Sequence, residues 1–407
     1  MRVAVLNAHG GVVGGLEIYV QRVLPALGQA GLEAELFFQH APDAVRPPLA
    51  SGGGVHLGQL PDDRAFGRIE EWKPDVLYVN SPLRPALIRR AAARWPVIVF
   101  QHSYYGTCIN GGKFVRLPVA RPCERVFGPA CLACWYPRRC GGWNPASVWH
   151  GFQLQREWLG VLRSSDAVAC HSVQMQAELG RHGIPPGRAP VVPFLVPPDD
   201  VAPAKGSRLL PAEGPLRLLF LGRLETVKGA HLLLEAAPGL AAALGRRIEI
   251  VLAGDGPERE RLAAKARVVM SRHPAVTVEL PGWIGAAERA QQLAAAQLLV
   301  VPSIWPEPFG QTGVEAGHFG VPAAAFNVGG VRAWLTPGVN GHLAPGRPAT
   351  AAGLGAALRE CLHDAGHYAR LSAGAREQAA GFNAARHVAA LTETFTAAIS
   401  RRGGRQS

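Results

Sequence analysis

Short apolar runs bounded by polar residues, glycine or proline, each followed by a stretch long enough for a helix, constrain this chain more than any other feature. They occur at 2–7, 34–38, 76–79, 97–100 and 167–170, and again at 216–221, 248–253, 276–280 and 297–301. Alternation of this kind predicts an α/β fold with parallel sheets covered by helices. In such sheets ligands bind beyond the carboxyl ends of the strands, so those ends are where functional side chains are expected. With 407 residues the chain is too long for one ordinary core. The aperiodic stretch 196–215, rich in Pro, Ala, Lys and Gly, reads as a linker between an N-terminal domain over 1–200 and a C-terminal domain over 201–383. Helices are expected over about 350–380 and 384–400, with the tail 401–407 fraying.

The run 297–301 leads into the stretch with the most chemistry, 302–330. Pro302, Pro306 and Pro308 forbid continuation of a strand, which places Glu307 in an irregular loop. Gly310 frees the backbone and 311–318 can turn helical, so Glu315 lies about one turn inside a helix that Glu307 precedes. Free N–H groups and the positive end of a helix dipole suit a phosphate, and a carboxylate such as Glu315 can accept two bonds from a ribose diol. The plainer alternative is a solvated loop acid and a helix-start acid favoured by the dipole. Apolar neighbours, three prolines and a second glycine turn at 327–330 weigh against it. Gly313 and Gly317 are expected to loosen the helix, by about 1 kcal/mol each relative to Ala.

Two more loops repeat this logic. After 216–221 come Gly222, Arg223, Lys228 and Gly229, then a helix, and two cations beside a helix start are suited to a diphosphate. After 2–7, Gly14 and Gly15 open a helix in a pattern that misses the dinucleotide-binding fingerprint. His102 lies two residues beyond the run 97–100, where it is either a structural residue or a catalytic one.

Glu307-Pro-Phe-Gly and Glu315, followed by Gly320-Val-Pro322 and Gly329-Gly330, resemble the Glu-x7-Glu region of the retaining glycosyltransferases of family 4, which have the GT-B fold. The resemblance implies two Rossmann-like domains facing across a cleft, with a last helix from 384 crossing back onto the first domain. It implies a nucleotide-diphosphate sugar on the C-terminal domain and a glycan, lipid-linked or small-molecule acceptor on the N-terminal one, with no divalent ion required. Arg223 and Lys228 match the family's phosphate-binding pair, Glu307 would meet the transferred sugar, and His102 matches a histidine near that sugar. Gly14 and Gly15 resemble the loop bordering acceptor and phosphates, while Gly254 and Asp255 would lie against the nucleotide and Trp283 and Ile284 near the base. Phe309, Gly310, Gln311 and Thr312 would complete the donor side next to Glu315.

Cys108, Cys123, Cys131, Cys134 and Cys140 crowd an apparent insert over about 103–150. The first four could hold a structural zinc ion stapling a coreless loop, with Cys140 spare, and an iron–sulfur cluster would use the same ligands. Some members of the family carry a similar cysteine-bearing insertion. Free buried thiols or a redox pair are the plainer readings. No run reaches eighteen apolar residues and the amino terminus has no signal-type core, so a cytoplasmic location is expected, with peripheral contact at the inner face of an anionic membrane. The net charge of +12 favours an anionic partner, and without a nucleic-acid-binding motif a phosphorylated small molecule is preferred to nucleic acid. A GT-B sugar-nucleotide epimerase and a non-catalytic nucleotide-sugar-binding protein are the competing readings. A phosphorylase would need a cofactor-bearing lysine, and none is identified.

Overall fold

The computed structural model describes residues 1–42, 48–50, 53–196 and 208–406. Two sheets realise the alternation read from the sequence. The first runs in the order Val55–His56, Glu33–His40, Arg2–His9, Val76–Val79, Val97–Gln101 and Ala167–Cys170, every neighbouring pair parallel. The second runs Val276–Gly282, Ile248–Ala253, Leu216–Leu221, Leu298–Val301, Ala323–Phe326 and Gly341–Ala344, again all parallel. Both therefore have the doubly wound order, in which the winding reverses between a sheet's own first and fourth strands and opens a crevice at their carboxyl ends. Val76–Val79, Ala167–Cys170 and Ala323–Phe326 are buried along their whole length, as strands covered on both faces must be.

The chain divides into two compact units, one of Met1–Val119, Cys123–Leu195 and Asn383–Ser407, the other of Ala120–Pro122 and Val196–Phe382. Residues 197–207 of the expected linker lie outside the described residues. Val196 itself is anchored: its N–H donates to the Phe382 carbonyl at 3.1 Å and its own carbonyl accepts from His318 Nε2 at 2.7 Å. The last helix, Ala384–Gln406, belongs to the first unit. Arg401 and Arg402, expected to fray, lie inside it, because the Arg402 guanidinium forks onto both oxygens of Asp166 at 3.0 and 2.9 Å.

Two further expectations are corrected by packing. Gly313 and Gly317 do not loosen their helix, Thr312–His318, but make room for neighbours. A Cβ at 313 would lie 2.2 Å from the Trp334 ring, and one at 317 would lie 2.7 Å from the Ala375 carbonyl oxygen, so alanine at either would clash. The cysteine-bearing insert between Val97–Gln101 and Ala167–Cys170 is not coreless. Ile109, Phe127, Trp135, Val148, Phe152 and Leu159 form an apolar cluster of their own. Its long helix, Pro145–Ser164, is capped by Asn144, whose side chain accepts from the Ala146 N–H. A buried ion pair between Lys113 and Glu178 ties the insert to helix Val173–Arg181.

Candidate active site

In the second unit the crevice lies beyond Leu216–Leu221 and Leu298–Val301, and each strand delivers one charged partner across it. After the first strand, the turn Thr226–Lys228 leads through Gly229 into helix Ala230–Leu244. After the other, the proline-rich loop carries Glu307, 8 % exposed. Lys228 Nζ donates to Glu307 Oε1 at 2.6 Å and sits 4.7 Å from the centroid of the Trp305 ring. An ammonium carries three N–H groups, so a lysine fixed by one carboxylate and one ring retains capacity for an anion. Glu307 is itself held by its backbone: its N–H donates to Trp305 O at 2.8 Å and its carbonyl accepts from Gly330 N–H at 2.6 Å. Gly329, at φ 57°, permits that closeness, since a Cβ there would lie 2.3 Å from the Glu307 carbonyl.

Glu315, 4 % exposed, sits one turn into Thr312–His318, as expected. Arg289 of helix Ala286–Ala295, a residue that sequence reading missed because nothing local marks it, brings NH1 to 3.8 Å from the Glu315 Oε1. Arg223 lies in the same loop as Lys228, but its side chain is 77 % exposed and its NH2 is paired with Glu225 Oε1 at 2.6 Å. Phe309 is buried, and its carbonyl accepts from Trp334 Nε1 at 2.7 Å, while Gly310, Gln311 and Thr312 stay partly open at the start of the helix. Gly254 is where strand ends close in, a Cβ being 1.9 Å from the Gly222 carbonyl, so packing alone requires that glycine. Asp255 Oδ1 accepts from the Gly256 N–H at 2.7 Å. Trp283 is 78 % exposed beside the half-buried Ile284, an open aromatic face on this unit.

The first unit brings different chemistry to its crevice. His102 follows Val97–Gln101, His171 follows Ala167–Cys170 and Asn80 follows Val76–Val79. His102 Nε2 meets Asn80 Oδ1 at 3.2 Å, and His171 Nε2 meets His102 Nδ1 at 3.1 Å. Because Asn80 Nδ2 donates to the Tyr78 carbonyl at 3.4 Å, its Oδ1 is left to accept, so His102 donates from Nε2 and accepts at Nδ1. A second chain runs alongside. The Pro193 carbonyl, 2.6 Å away, fixes the proton on His387 Nδ1, so His387 Nε2 accepts from Tyr19 at 2.7 Å and Tyr19 in turn accepts from Tyr78 at 2.5 Å. Burial holds all three imidazoles neutral, taking His102 down to about 3 and His387 to about 4, with His171 also well below its ordinary value. Asn80 and His171 were legible by the same strand-end rule that found His102; His387, from the last helix, had no local signal. Gly14 caps helix Gly15–Gln29, its N–H bonded to Glu17 Oε2 at 3.0 Å. Its φ of −166° suits any residue and a Cβ would meet only that carboxylate, at 3.8 Å, so the fold does not require glycine there.

Cys108, Cys123, Cys131, Cys134 and Cys140 are free and half-buried. Cys140 is not apart from the rest: its thiol is pushed up to about 12, first by burial and then by the other four sulfurs. The Lys113 N–H points at Cys108 Sγ, 3.2 Å away. Among the described residues no three Cys, His, Asp or Glu already stand in metal-ligand geometry.

Two family models account for most of the chain: Glycosyltransferase Family 4 matches residues 13–200, and Glycosyl transferases group 1 matches residues 205–378. The chain belongs with the GT-B glycosyltransferases. It is 29 % identical to the D-inositol 3-phosphate glycosyltransferase of Geodermatophilus obscurus, over 98 % of this chain and 89 % of that one. It is also 29 % identical to the glycogen synthase of Mycobacterium tuberculosis, over 97 % of this chain and 93 % of that one. Among solved structures, sucrose-phosphate synthase from Thermosynechococcus elongatus shares the fold with a TM-score of 0.67 at 21 % identity, each chain covered fully. The Anabaena protein Alr3699/HepE, in complex with UDP and glucose, matches with a TM-score of 0.60 at 19 % identity, covering 97 % of this chain and 99 % of that one.

Proposed function

We propose that this glycosyltransferase takes a sugar from a nucleotide-diphosphate donor held on the second unit and passes it, with retention of anomeric configuration, to an acceptor held on the first. The observation that carries the reading is the Lys228–Glu307 pair, which joins the two strands flanking the crevice of the second unit. As the glycosidic bond to the donor breaks, negative charge grows on the diphosphate, and Lys228 is a cation fixed where that charge develops. Glu307, released from part of its pairing when phosphate draws the ammonium, offers a carboxylate to the positively charged sugar. Glu315, with the Arg289 guanidinium beside it, takes the ribose hydroxyls, and Trp283 and Ile284 meet the base. Arg223 is a peripheral phosphate ligand. His102 contributes a neutral donor set by Asn80 and His171, and Gly14 and Gly15 leave room for a group that approaches the backbone closely.

The acceptor belongs to the glycans, lipid-linked sugars or small polyols, and the setting is cell-surface polysaccharide or glycoconjugate synthesis at the cytoplasmic face of a membrane. Relatives named for inositol phosphate and for glycogen are equally identical to the chain, so identity does not choose among acceptors. No divalent ion is required for the transfer. In the insert, burial raises the Cys108 and Cys131 thiols, so they stay protonated unless a cation takes their charge, which suits a structural zinc ion on Cys108, Cys123, Cys131 and Cys134. Elemental analysis should find about one zinc per chain; iron would replace it by a cluster, and no metal would remove the idea. The transfer itself is tested by screening nucleoside diphosphates in thermal denaturation, where a ligand at 100 times its Kd adds about 2.7 kcal/mol. The matching nucleotide sugar should then give a product whose anomeric proton keeps the donor's configuration. Stabilisation by no nucleoside diphosphate would contradict the reading, and inverted product would limit it to the donor site.

A further inference from the structure

We propose that the outer face of the cysteine-bearing insert is a docking surface for an anionic lipid bilayer. Exposed large apolar side chains are scattered singly on most of the molecule, as is normal. Here they gather: of the fifteen such residues found among the described ones, seven fall between Tyr105 and Trp149, including Leu117, Val126, Tyr136, Trp143 at 66 % exposure and Trp149 at 55 %. The same segment is basic where it meets solvent, with Arg116, Arg121, Arg125, Arg138 and Arg139 against the single acid Glu124 over residues 103–150, Lys113 being buried in its pair with Glu178.

Hydrogen bonds make much of this one contiguous, stiff surface. The N–H groups of Arg116 and Leu117 both donate to the Arg138 carbonyl, at 3.0 and 3.3 Å, which sets that edge beside the turn carrying Tyr136 and Arg139. Tyr136 stacks on Trp143, ring centroids 5.9 Å apart, and its hydroxyl donates to the Trp143 carbonyl at 3.3 Å. The Arg139 guanidinium carbon lies 5.4 Å from the Trp143 ring centroid. Arg139 adopts φ 47°, a left-handed conformation that costs an arginine energy, and it displays the side chain over that exposed indole. Behind the surface, the buried Phe152 of the insert's own core backs the Trp149 ring, their centroids 6.0 Å apart. Rigid indole and phenol rings interleaved with arginines have the chemistry of a membrane–water interface with negative headgroups, where aromatic residues settle at the headgroup level and arginines attract anionic lipid. No helix among the described residues is long and apolar enough to cross a membrane, so attachment through this face would be peripheral.

This inference does not depend on the donor chemistry, and its test uses no activity. The full-length chain is sedimented with vesicles of phosphatidylcholine alone and of phosphatidylcholine with phosphatidylglycerol. Binding should require the anionic lipid and weaken with salt. Arg116→Gln and Arg139→Gln should each lower partitioning about fivefold. Trp143→Ala combined with Trp149→Ala should lower it about tenfold or more. Both rings are exposed, so melting curves of the variants should match wild type; should they not, the arginine variants and quenching by brominated lipid, reduced in Trp143→Phe and again in Trp149→Phe, report on the same face. The proposal is overturned by no vesicle binding at low salt, by equal binding to neutral vesicles, or by variants that bind as wild type. It is equally overturned if the same substitutions abolish self-association or oligonucleotide binding in place of vesicle binding.

Discussion

The two units share a strand order and place it in opposite service. At the crevice of the second sheet the side chains are ionic: Lys228 on Glu307, Arg289 near Glu315 and Arg223 on Glu225. At the strand ends of the first sheet the corresponding groups are neutral, two directed hydrogen-bond chains running through Tyr78, Tyr19 and His387 and through His171, His102 and Asn80. An ionic crevice with a cation in reserve suits a ligand that brings phosphate charge. A neutral one suits hydroxyl groups, which pair with neutral donors and acceptors and bring no charge that needs a counter-ion. One scaffold can therefore be divided between a charged donor and a hydroxylic acceptor by the protonation states its strand ends enforce.

Four substitutions or conditions would break or sharpen that contrast, the three substitutions in order of expected size. Glu307→Gln keeps shape and hydrogen bonding but removes charge, so turnover should fall about 100-fold while nucleotide affinity stays near wild type. Full turnover with the correct donor would make the loop structural. Glu315→Ala should cost about tenfold or more in nucleotide affinity through the ribose, and the loss should vanish when 2′,3′-dideoxy nucleotide is the ligand. Acid should act on the first unit. His171 and His387 are buried neutral and titrate below their ordinary value near 6.5, His387 at about 4, so the unfolded chain binds more protons over that interval. Their stabilising contribution is complete above about pH 6.5 and is lost as the pH falls toward 4, at about 1.4 kcal/mol per pH unit for each. Hydrogen exchange at pH 7 and pH 5 should show the loss within 1–195, and equal protection at both would contradict the neutral network. Smallest is Arg223→Ala: an exposed arginine already paired with Glu225 should change diphosphate affinity by less than about threefold.

Much of this is legible in the sequence. Strand positions followed from apolar runs, because a strand buried on both faces must be apolar throughout, and the carboxyl-end rule then singled out Glu307, Lys228 and His102. What failed did so for tertiary reasons. Gly313 and Gly317 were read by helix propensity, yet Trp334 and helix Ala365–Ala380 press on them from far along the chain. The insert looks coreless in sequence because Ile109, Phe127 and Val148 are too widely spaced to show periodicity. Arg289 and His387 reach their partners Glu315 and Tyr19 only through packing of distant helices, so no motif announces them. Arg223 and Lys228 look equivalent in sequence; the presence of Glu225 beside one and of Glu307 and Trp305 around the other separates them.

The central claim is that the cation clamped at the crevice of the second unit is there for a diphosphate, and calorimetry on Lys228→Ala tests it most directly. Titrated with the preferred nucleoside diphosphate and with the matching nucleoside, wild type and variant give four affinities. The account predicts that the variant loses about 10- to 100-fold for the diphosphate, the worth of one charge-assisted contact, and less than about twofold for the nucleoside. Equal losses for the two ligands, or none for either, would contradict it.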